Sequence, residues 1–209
     1  MNDVKKTIGW CDKTWNVVSG CRRGCPYCYA KRIHDRFDPH VPFSHIEFHE
    51  GRLLDKMPRA PSKIFVGSMS DIEYWEKEWV ERILDVCRQN KRHTFMFLSK
   101  EPHSYRGFEW PENTMQGLTE TKVDNPIESY EVMDEMVHLP RPFLSIEPLL
   151  GMFFCIGGKG KLPDEYELVI VGAMTGPGAI FPRQEWIESV RMNVPAEKIY
   201  WKRNIQRYL

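Results

Sequence analysis

The sequence has no net charge, no long apolar run and no internal repeat. Its 29 basic and 29 acidic residues cancel, so the whole chain creates no field that would draw it onto nucleic acid or an anionic membrane. The missing apolar run argues against a membrane-spanning helix. The N-terminus also lacks the apolar core of a secretory signal. We therefore expect a cytoplasmic protein without a membrane partner.

Cysteine is also sparse, with six residues in 209. This number is too small for a disulfide scaffold, and cytoplasmic thiols stay reduced. Cys87 lies in an amphipathic helical pattern and Cys155 in an apolar run, so both are expected in the core. We expect the same of Cys11, as a bystander to the remaining three. The length and the ordinary composition predict a single domain over residues 1–209.

What the sequence does have is a C-x3-C-x2-C motif near its start. A predicted strand over Thr14–Val18 precedes the motif, and a predicted helix over Tyr29–Phe37 follows it. Three thiolates this close need a shared partner. The motif occupies the segment Cys21-Arg-Arg-Gly-Cys25-Pro-Tyr-Cys28.

The spacing leaves zinc and an iron-sulfur cluster as candidates. Structural zinc sites are closed and four-coordinate, usually built from two separated pairs. No second pair is present, so His49 or Cys11 would have to complete a zinc site. A cluster fits better, since four irons need four donors, and three cysteines leave one iron open for a small molecule. The other histidines, His40 and His45, share with His49 an irregular segment of about residues 37–61 and are expected to be loop residues.

The rest of the chain alternates between short apolar strands and amphipathic helices. This alternation predicts an α/β fold with a mostly parallel sheet. The predicted strands are Lys63–Val66, His93–Leu98, Thr114–Leu118, Pro142–Ile146, Glu167–Val171 and Lys198–Trp201. The predicted helices are Glu73–Asn90, Asn125–His138 and Gln184–Arg191.

Polar residues follow the predicted strands one after another. Chemistry in parallel α/β folds gathers at the carboxyl ends of the strands, although any single residue of this kind is equally well explained as a helix cap. The residues at these ends are Ser68, Ser70, Asp71, Ser99, Lys100, Thr119, Glu120, Ser145, Glu147, Thr175 and Lys202.

The cysteine spacing, with an aromatic residue before the third cysteine and a strand before the loop, resembles the signature of the radical S-adenosylmethionine (radical SAM) superfamily. Further segments resemble the short phage-associated three-Cys-motif branch of that superfamily, in the same order along nearly the whole chain. They are Ile8-Gly-Trp10, Thr14-Trp-Asn16, Arg52-Leu53, Phe65-Val-Gly-Ser-Met-Ser-Asp71, Leu98-Ser-Lys100, Ser145-Ile-Glu-Pro-Leu-Leu-Gly151, Val169-Ile-Val-Gly172 and Gly176-Pro177.

The resemblance implies a fold and two cofactors. The fold would be a partial (β/α)6 TIM-like barrel with mostly parallel strands and its site at the C-terminal mouth. Cys21, Cys25 and Cys28 would bind a 4Fe-4S cluster. The open iron of that cluster would bind S-adenosylmethionine (SAM), whose reductive cleavage gives methionine and a 5′-deoxyadenosyl radical. The substrate is not implied.

The resemblance also implies roles for residues at the strand ends. Tyr27 would pack near the adenine, and Lys100 would meet the SAM carboxylate. Glu147 and Lys202 are the catalytic candidates, with Lys202 directed at a substrate anion. The residues expected at the SAM amino group are Ser68, Ser70 and Asp71, and those expected at the ribose hydroxyls or the substrate are Thr119, Glu120 and Glu147.

The expected partners are an external electron donor and a three-Cys-motif partner protein that covers the open side of the barrel. Basic residues around the cysteines and the phage association of similar proteins suggest nucleic acid as a further partner. The alternative function is a non-catalytic iron-sulfur or zinc-binding module that serves in interaction or sensing. Cleavage of SAM would distinguish the enzyme from the non-catalytic module.

Overall fold

The computed structural model of the protein describes residues 1–122, 131, 133–154 and 162–209. Cys155 and half of the predicted helix Asn125–His138, namely residues 125–130 and 132, lie outside the described residues. The chain divides into two compact units. The first comprises Met1–Ser99 and Ser104–Met115, and the second comprises Lys100–His103 and Gln116–Leu209.

The first unit contains four neighbouring strands of the main sheet, in the order β1-β2-β5-β6. Strand β1 is antiparallel to β2, whereas β2, β5 and β6 are parallel. Two further strands, β3 and β4, pair antiparallel in a separate small sheet. The strands are β1 (Asn2–Asp3), β2 (Lys13–Trp15), β3 (Val18–Ser19), β4 (Glu47–Phe48), β5 (Lys63–Val66) and β6 (Thr94–Ser99).

The helices of the first unit are α1 (Tyr29–Phe37), directly after the cysteine motif, and α2 (Lys77–Gln89) between β5 and β6. Short 3-10 turns occupy Glu50–Leu54 and Ile72–Tyr74. Helix α2 buries apolar side chains at three- and four-residue spacing, which is the period that places them on one face. These are Val80, Ile83, Leu84 and Cys87.

The second unit contains the last four residues of β7, from Gln116, and the strands β8, β9 and β10. These strands are parallel and follow the order β7-β8-β9-β10. The central strands are almost wholly buried, as expected of parallel strands covered on both faces. Helix α3 (Gln184–Asn193) joins β9 to β10. The strands are β7 (Thr114–Thr119), β8 (Pro142–Ile146), β9 (Leu168–Val171) and β10 (Ile199–Trp201).

The described fold is mixed α/β with mostly parallel strands, which confirms the predicted class. The bounds of β5 and β8 are those predicted, and β6, β7, β9, β10 and α3 differ by at most two residues at an end. The single domain and the (β/α)6 barrel stay predictions. No helix among the described residues is long and apolar enough to cross a membrane.

The predicted strand Thr14–Val18 is wrong, because two short strands in different sheets replace it. The first strand ends before Asn16, because the backbone carbonyls of Asn16 and Val17 accept hydrogen bonds from other parts of the chain. The Arg52 side chain donates to the Asn16 carbonyl, and the His49 N–H donates to that of Val17 at 2.8 Å. The small sheet of β3 and β4, formed in this way, leads into the cysteine loop.

The irregular segment and the long helix also differ from expectation. Strand β4 and the 3-10 turn Glu50–Leu54 lie within residues 37–61, which were expected to be irregular. The predicted helix Glu73–Asn90 starts as a separate 3-10 turn, and α2 begins at Lys77. The Asp71 side chain caps that turn by accepting from the Glu73 N–H at 3.1 Å.

Candidate functional site

The cysteine loop connects β3 to α1 and is held by backbone hydrogen bonds at its start. The Gly20 N–H donates to the Met69 carbonyl at 3.1 Å, and the Cys21 N–H donates to the Phe43 carbonyl at 2.8 Å. Gly20 also forms an isolated parallel bridge to Ser70. The first cysteine is thereby placed beside the segment that follows β5.

Gly20 is required at the start of this loop for two reasons. Its φ of +89° lies in the region that favours glycine. A Cβ at this position would lie 1.8 Å from the His45 carbonyl oxygen. Any side chain would therefore separate the loop from its backbone partners.

Cys21, Cys25 and Cys28 form no disulfide and are each partly accessible. Burial raises the pKa of the Cys21 thiol to about 11, and the nearby Asp71, Cys28 and Cys25 add to this effect. The backbone N–H of Arg23 opposes the shift.

Cys28 also caps α1, since its Sγ accepts from the Lys31 N–H at 3.3 Å. Such N–H donors, together with the positive end of a helix, stabilise a thiolate. The three thiols thus suit an iron-sulfur cluster, because its irons are bound by cysteine thiolates and its potential is set partly by hydrogen bonds to sulfur. Within the described ranges, no group of three His, Cys, Asp or Glu side chains is arranged to hold a single metal ion.

The predicted residues after β5 lie against the cysteine loop. Ser70 Oγ donates to the Gly20 carbonyl at 2.6 Å and accepts from Trp75 Nε1 at 2.9 Å, which anchors the loop. Ser68 Oγ donates to Asn16 Oδ1 at 2.9 Å, and its carbonyl accepts from the Tyr29 hydroxyl. The structure therefore brings together two of the predicted SAM-contacting residues and the predicted cluster ligands.

Asp71 is the buried acidic group of this region, 8% exposed. Its Oδ1 accepts from Ser99 Oγ at 2.6 Å and from the Glu73 N–H. Its Oδ2 faces Arg23 Nε at 3.9 Å, and the Arg23 guanidinium also pairs with Glu73. Arg23 thus connects the cysteine loop to the segment after β5 through two carboxylates.

Arg23 was expected only as one of the basic residues around the cysteines, and its bridge to Asp71 and Glu73 was not predicted. Its position inside the C-x3-C spacing was the available signal, since a loop residue there must point either to solvent or back to the sheet. Ser99 was noted as a strand-end residue, but not as the partner of Asp71. Both contacts join residues far apart in sequence.

The second unit places Glu147 and Lys202 together. Glu147 follows β8 and Lys202 follows β10, and the Lys202 ammonium forms an ion pair with the Glu147 carboxylate. Their side chains are 26% and 14% exposed. The two catalytic candidates are therefore one ion pair, and a single substitution would leave a partly buried charge without its partner.

The absence of a side chain at Gly172 allows Glu147 and Lys202 to form this ion pair. Parallel register aligns Ile146 and Trp201 with Val171 on the two sides of β9, so Glu147, Gly172 and Lys202 are the next positions of three adjacent strands. A Cβ on Gly172 would lie 3.0 Å from Glu147 Cδ and Oε1. The missing side chain leaves the space through which the two charges meet.

The remaining predicted residues are partly exposed. Thr119 is the last residue of β7 and is aligned with Ser145 of β8. The Glu120 N–H donates to the Ser145 carbonyl at 2.9 Å, which continues the parallel pairing. Lys100 directly follows β6, and Tyr27 lies in the cysteine loop, where its carbonyl accepts from Arg32 at 3.3 Å. Their assigned roles stay predictions.

Residues 5–204 match the family described as "Protein of unknown function (DUF5131)". This match covers nearly the whole chain, and the protein belongs to that family. No curated protein matches the chain. No solved structure matches it either.

Proposed function

We propose that this protein is a radical SAM enzyme that binds a 4Fe-4S cluster through Cys21, Cys25 and Cys28. The observation that carries the proposal is the set of three accessible thiols on one loop, held beside the polar segment after β5. When bound, the cluster and SAM together supply a 5′-deoxyadenosyl radical by reductive cleavage. Everything else depends on how the chain positions these groups.

The protein's own groups would bind and orient the cofactors. The three thiols would ligate three irons, and the Lys31 N–H would stabilise the Cys28 sulfur as a thiolate. Tyr27 would pack on the adenine. Ser68, Ser70 and Asp71, which lie beside the cysteine loop, would bind the SAM amino group. Lys100 would bind the SAM carboxylate.

In the second unit, Thr119 and Glu120 would bind hydroxyl groups of the ribose or the substrate. Lys202 would hold the Glu147 carboxylate in place and present positive charge to a substrate anion. The proposal also includes a cytoplasmic location, an external electron donor and a three-Cys-motif partner protein. The reaction on the substrate is left open, because similar barrels support many chemistries.

Anaerobic reconstitution with iron and sulfide tests the proposal directly. We expect about four irons per chain and, after addition of SAM and a strong reductant, release of 5′-deoxyadenosine measured by liquid chromatography. Cys21→Ser, Cys25→Ser and Cys28→Ser should each lose iron and abolish this product.

Cys87→Ala is the matched control, because Cys87 is a fully buried thiol in α2. It should load iron and cleave SAM like the unaltered protein. Fully loaded protein that neither binds SAM nor releases 5′-deoxyadenosine would refute the enzyme and indicate a non-catalytic iron-sulfur module.

A further inference from the structure

An exposed cluster of aromatic rings and a guanidinium lies in the second unit. The Phe181 side chain is 58% exposed. Its ring centroid lies 5.9 Å from that of Tyr208, and the Arg207 guanidinium lies 5.7 Å from the Phe181 centroid and 4.8 Å from that of Tyr208. We call Phe181, Arg207 and Tyr208 the aromatic-arginine patch.

The patch is built from segments that leave the carboxyl ends of two adjacent strands. Phe181 lies between β9 and α3, and Tyr208 lies in the 3-10 turn Gln206–Tyr208 beyond β10. A second pair of the same kind follows on α3, where the Arg183 guanidinium lies 5.3 Å from the Trp186 ring centroid. Cation–aromatic pairs therefore recur in this part of the chain.

This part of the chain is basic although the whole chain is neutral. Residues 180–209 contain six basic and three acidic side chains. Arg203 and Arg207 are exposed, and no described carboxylate lies within ion-pair distance of either. By contrast, Arg88 pairs with Asp85 at 2.7 Å and Arg141 with Glu167 at 2.8 Å. Arg207 in the patch, and Arg203 four residues before it in the sequence, thus keep their charge available for an external anion.

We propose that the aromatic-arginine patch binds single-stranded nucleic acid. Unpaired bases stack on exposed aromatic rings without regard to sequence, and nearby arginines bind the phosphates. Phe181 supplies an exposed ring, and Arg207 supplies a cation 5.7 Å from its centroid. Arg203 is a further exposed cation four residues before Arg207. A duplex keeps its bases stacked inside and does not offer them to Phe181, so single strands should bind in preference to duplexes.

This inference is independent of the cluster and of SAM. Binding of single-stranded nucleic acid can be measured on the full-length protein without a loaded cofactor. Absence of such binding would leave the proposed radical SAM activity untouched. Fluorescence anisotropy with labelled oligo-dT and oligo-rU probes of about 20 nucleotides, longer than the site of a single binding module, would give the affinity. A duplex of equal length tests the preference for single strands.

We expect Phe181→Ala to weaken single-strand binding about fivefold or more, the effect of losing one stacked base. Phe181→Tyr keeps a ring and should retain binding. Arg207→Ala should make the slope of log K against log salt less negative by about 0.7, as expected for one lost phosphate contact on a single strand. Comparison of the dT and rU probes decides between DNA and RNA.

The matched control is the double variant Arg36→Ala, Phe37→Ala in the first unit. It removes a similar pair, in which an arginine lies 5.4 Å from the centroid of a ring 76% exposed, and it should bind like the unaltered protein. Thermal unfolding should show that Phe181→Ala remains folded, since the ring is mostly in solvent. Equal loss in the control, unchanged binding by Phe181→Ala, or no binding at low salt would overturn the proposal. If Phe181→Ala binds the oligonucleotides as tightly as the unaltered protein, the patch would instead be a surface for a protein partner.

Discussion

Gly172 decides whether two charged side chains can meet at the end of the second unit's sheet. Glu147 and Lys202 extend from β8 and β10, with β9 between them. A side chain on the intervening position would occupy the space beside the Glu147 carboxylate. The ion pair between Glu147 and Lys202 therefore depends on the absence of a side chain at Gly172.

A double-mutant cycle measures this dependence. Glu147→Gln and Lys202→Met should show a coupling of about 1 kcal/mol in urea unfolding, within the range for partly buried contacts. In a Gly172→Ala background the coupling should fall close to zero, because the added methyl displaces the carboxylate.

Gly51→Ala is the control for that cycle, since a Cβ there meets nothing within 4 Å. It should leave the coupling unchanged. A coupling that survives Gly172→Ala would mean that the pair forms without the space left by glycine.

At the scale of elements, the cysteine loop depends on the turn that precedes it. Gly20 joins β3 to the loop with a positive φ and a close backbone approach to His45. Gly24, inside the loop, also has a positive φ, of +70°, but a Cβ there would meet nothing within 4 Å. Substitution of Gly24 by alanine thus measures the cost of a positive φ alone, whereas substitution of Gly20 adds the cost of the clash with His45.

We expect Gly24→Ala to lower the free energy of unfolding by about 1–2 kcal/mol, the cost of a left-handed non-glycine residue. Gly20→Ala should cost more than about 3 kcal/mol, because an atom cannot lie 1.8 Å from the His45 oxygen and the backbone must move. Urea unfolding of both variants gives these values.

The same variants connect the turn to the proposed cluster. Gly24→Ala should still load iron on reconstitution, whereas Gly20→Ala should lose most of it. Equal stability and equal iron content in the two variants would show that the Gly20 turn does not position the cysteines.

The pattern of short strands could largely be predicted from the sequence. Strands β5 and β8 are short apolar runs bounded by charged or turn-forming residues, so their limits are visible locally. Strands β1 and β4 have two residues each and no apolar period, and they form only because a partner strand supplies hydrogen bonds. Local pattern cannot reveal such elements.

At the scale of the whole molecule, His93 should make the stability depend on pH. It is 1% exposed, and the Ser62 N–H donates to its Nδ1 at 3.2 Å. Burial and the neighbouring Arg92 lower the pKa of His93. The folded protein therefore keeps the ring neutral at pH values where the unfolded chain takes up a proton.

The direction of the effect follows from proton uptake. The stabilisation is fully present above the ordinary histidine pKa of about 6.5 and is lost as the pH falls below it towards the lowered pKa. Urea unfolding between about pH 7 and about pH 5, above the range of most carboxylates, should show a declining free energy. His93→Gln should reduce that decline, whereas His103→Gln, whose side chain is 55% exposed, should not.

His49 acts in the same direction, since burial and Arg52 lower the pKa of its ring as well. The decline should therefore shrink in His93→Gln without disappearing. A decline of unchanged size in that variant would show that other groups control the acid sensitivity.

The sequence by itself determined the cysteine motif, the alternation of strands and helices and the polar residues at the strand ends. These features depend on neighbours in the chain, and local patterns of polarity and turn residues encode them. Only the tertiary structure decided that Arg23 bridges to Asp71 and Glu73, and that Glu147 meets Lys202 across Gly172. Those contacts join residues about fifty positions apart, and they exist because strand order and register bring distant ends of the chain side by side.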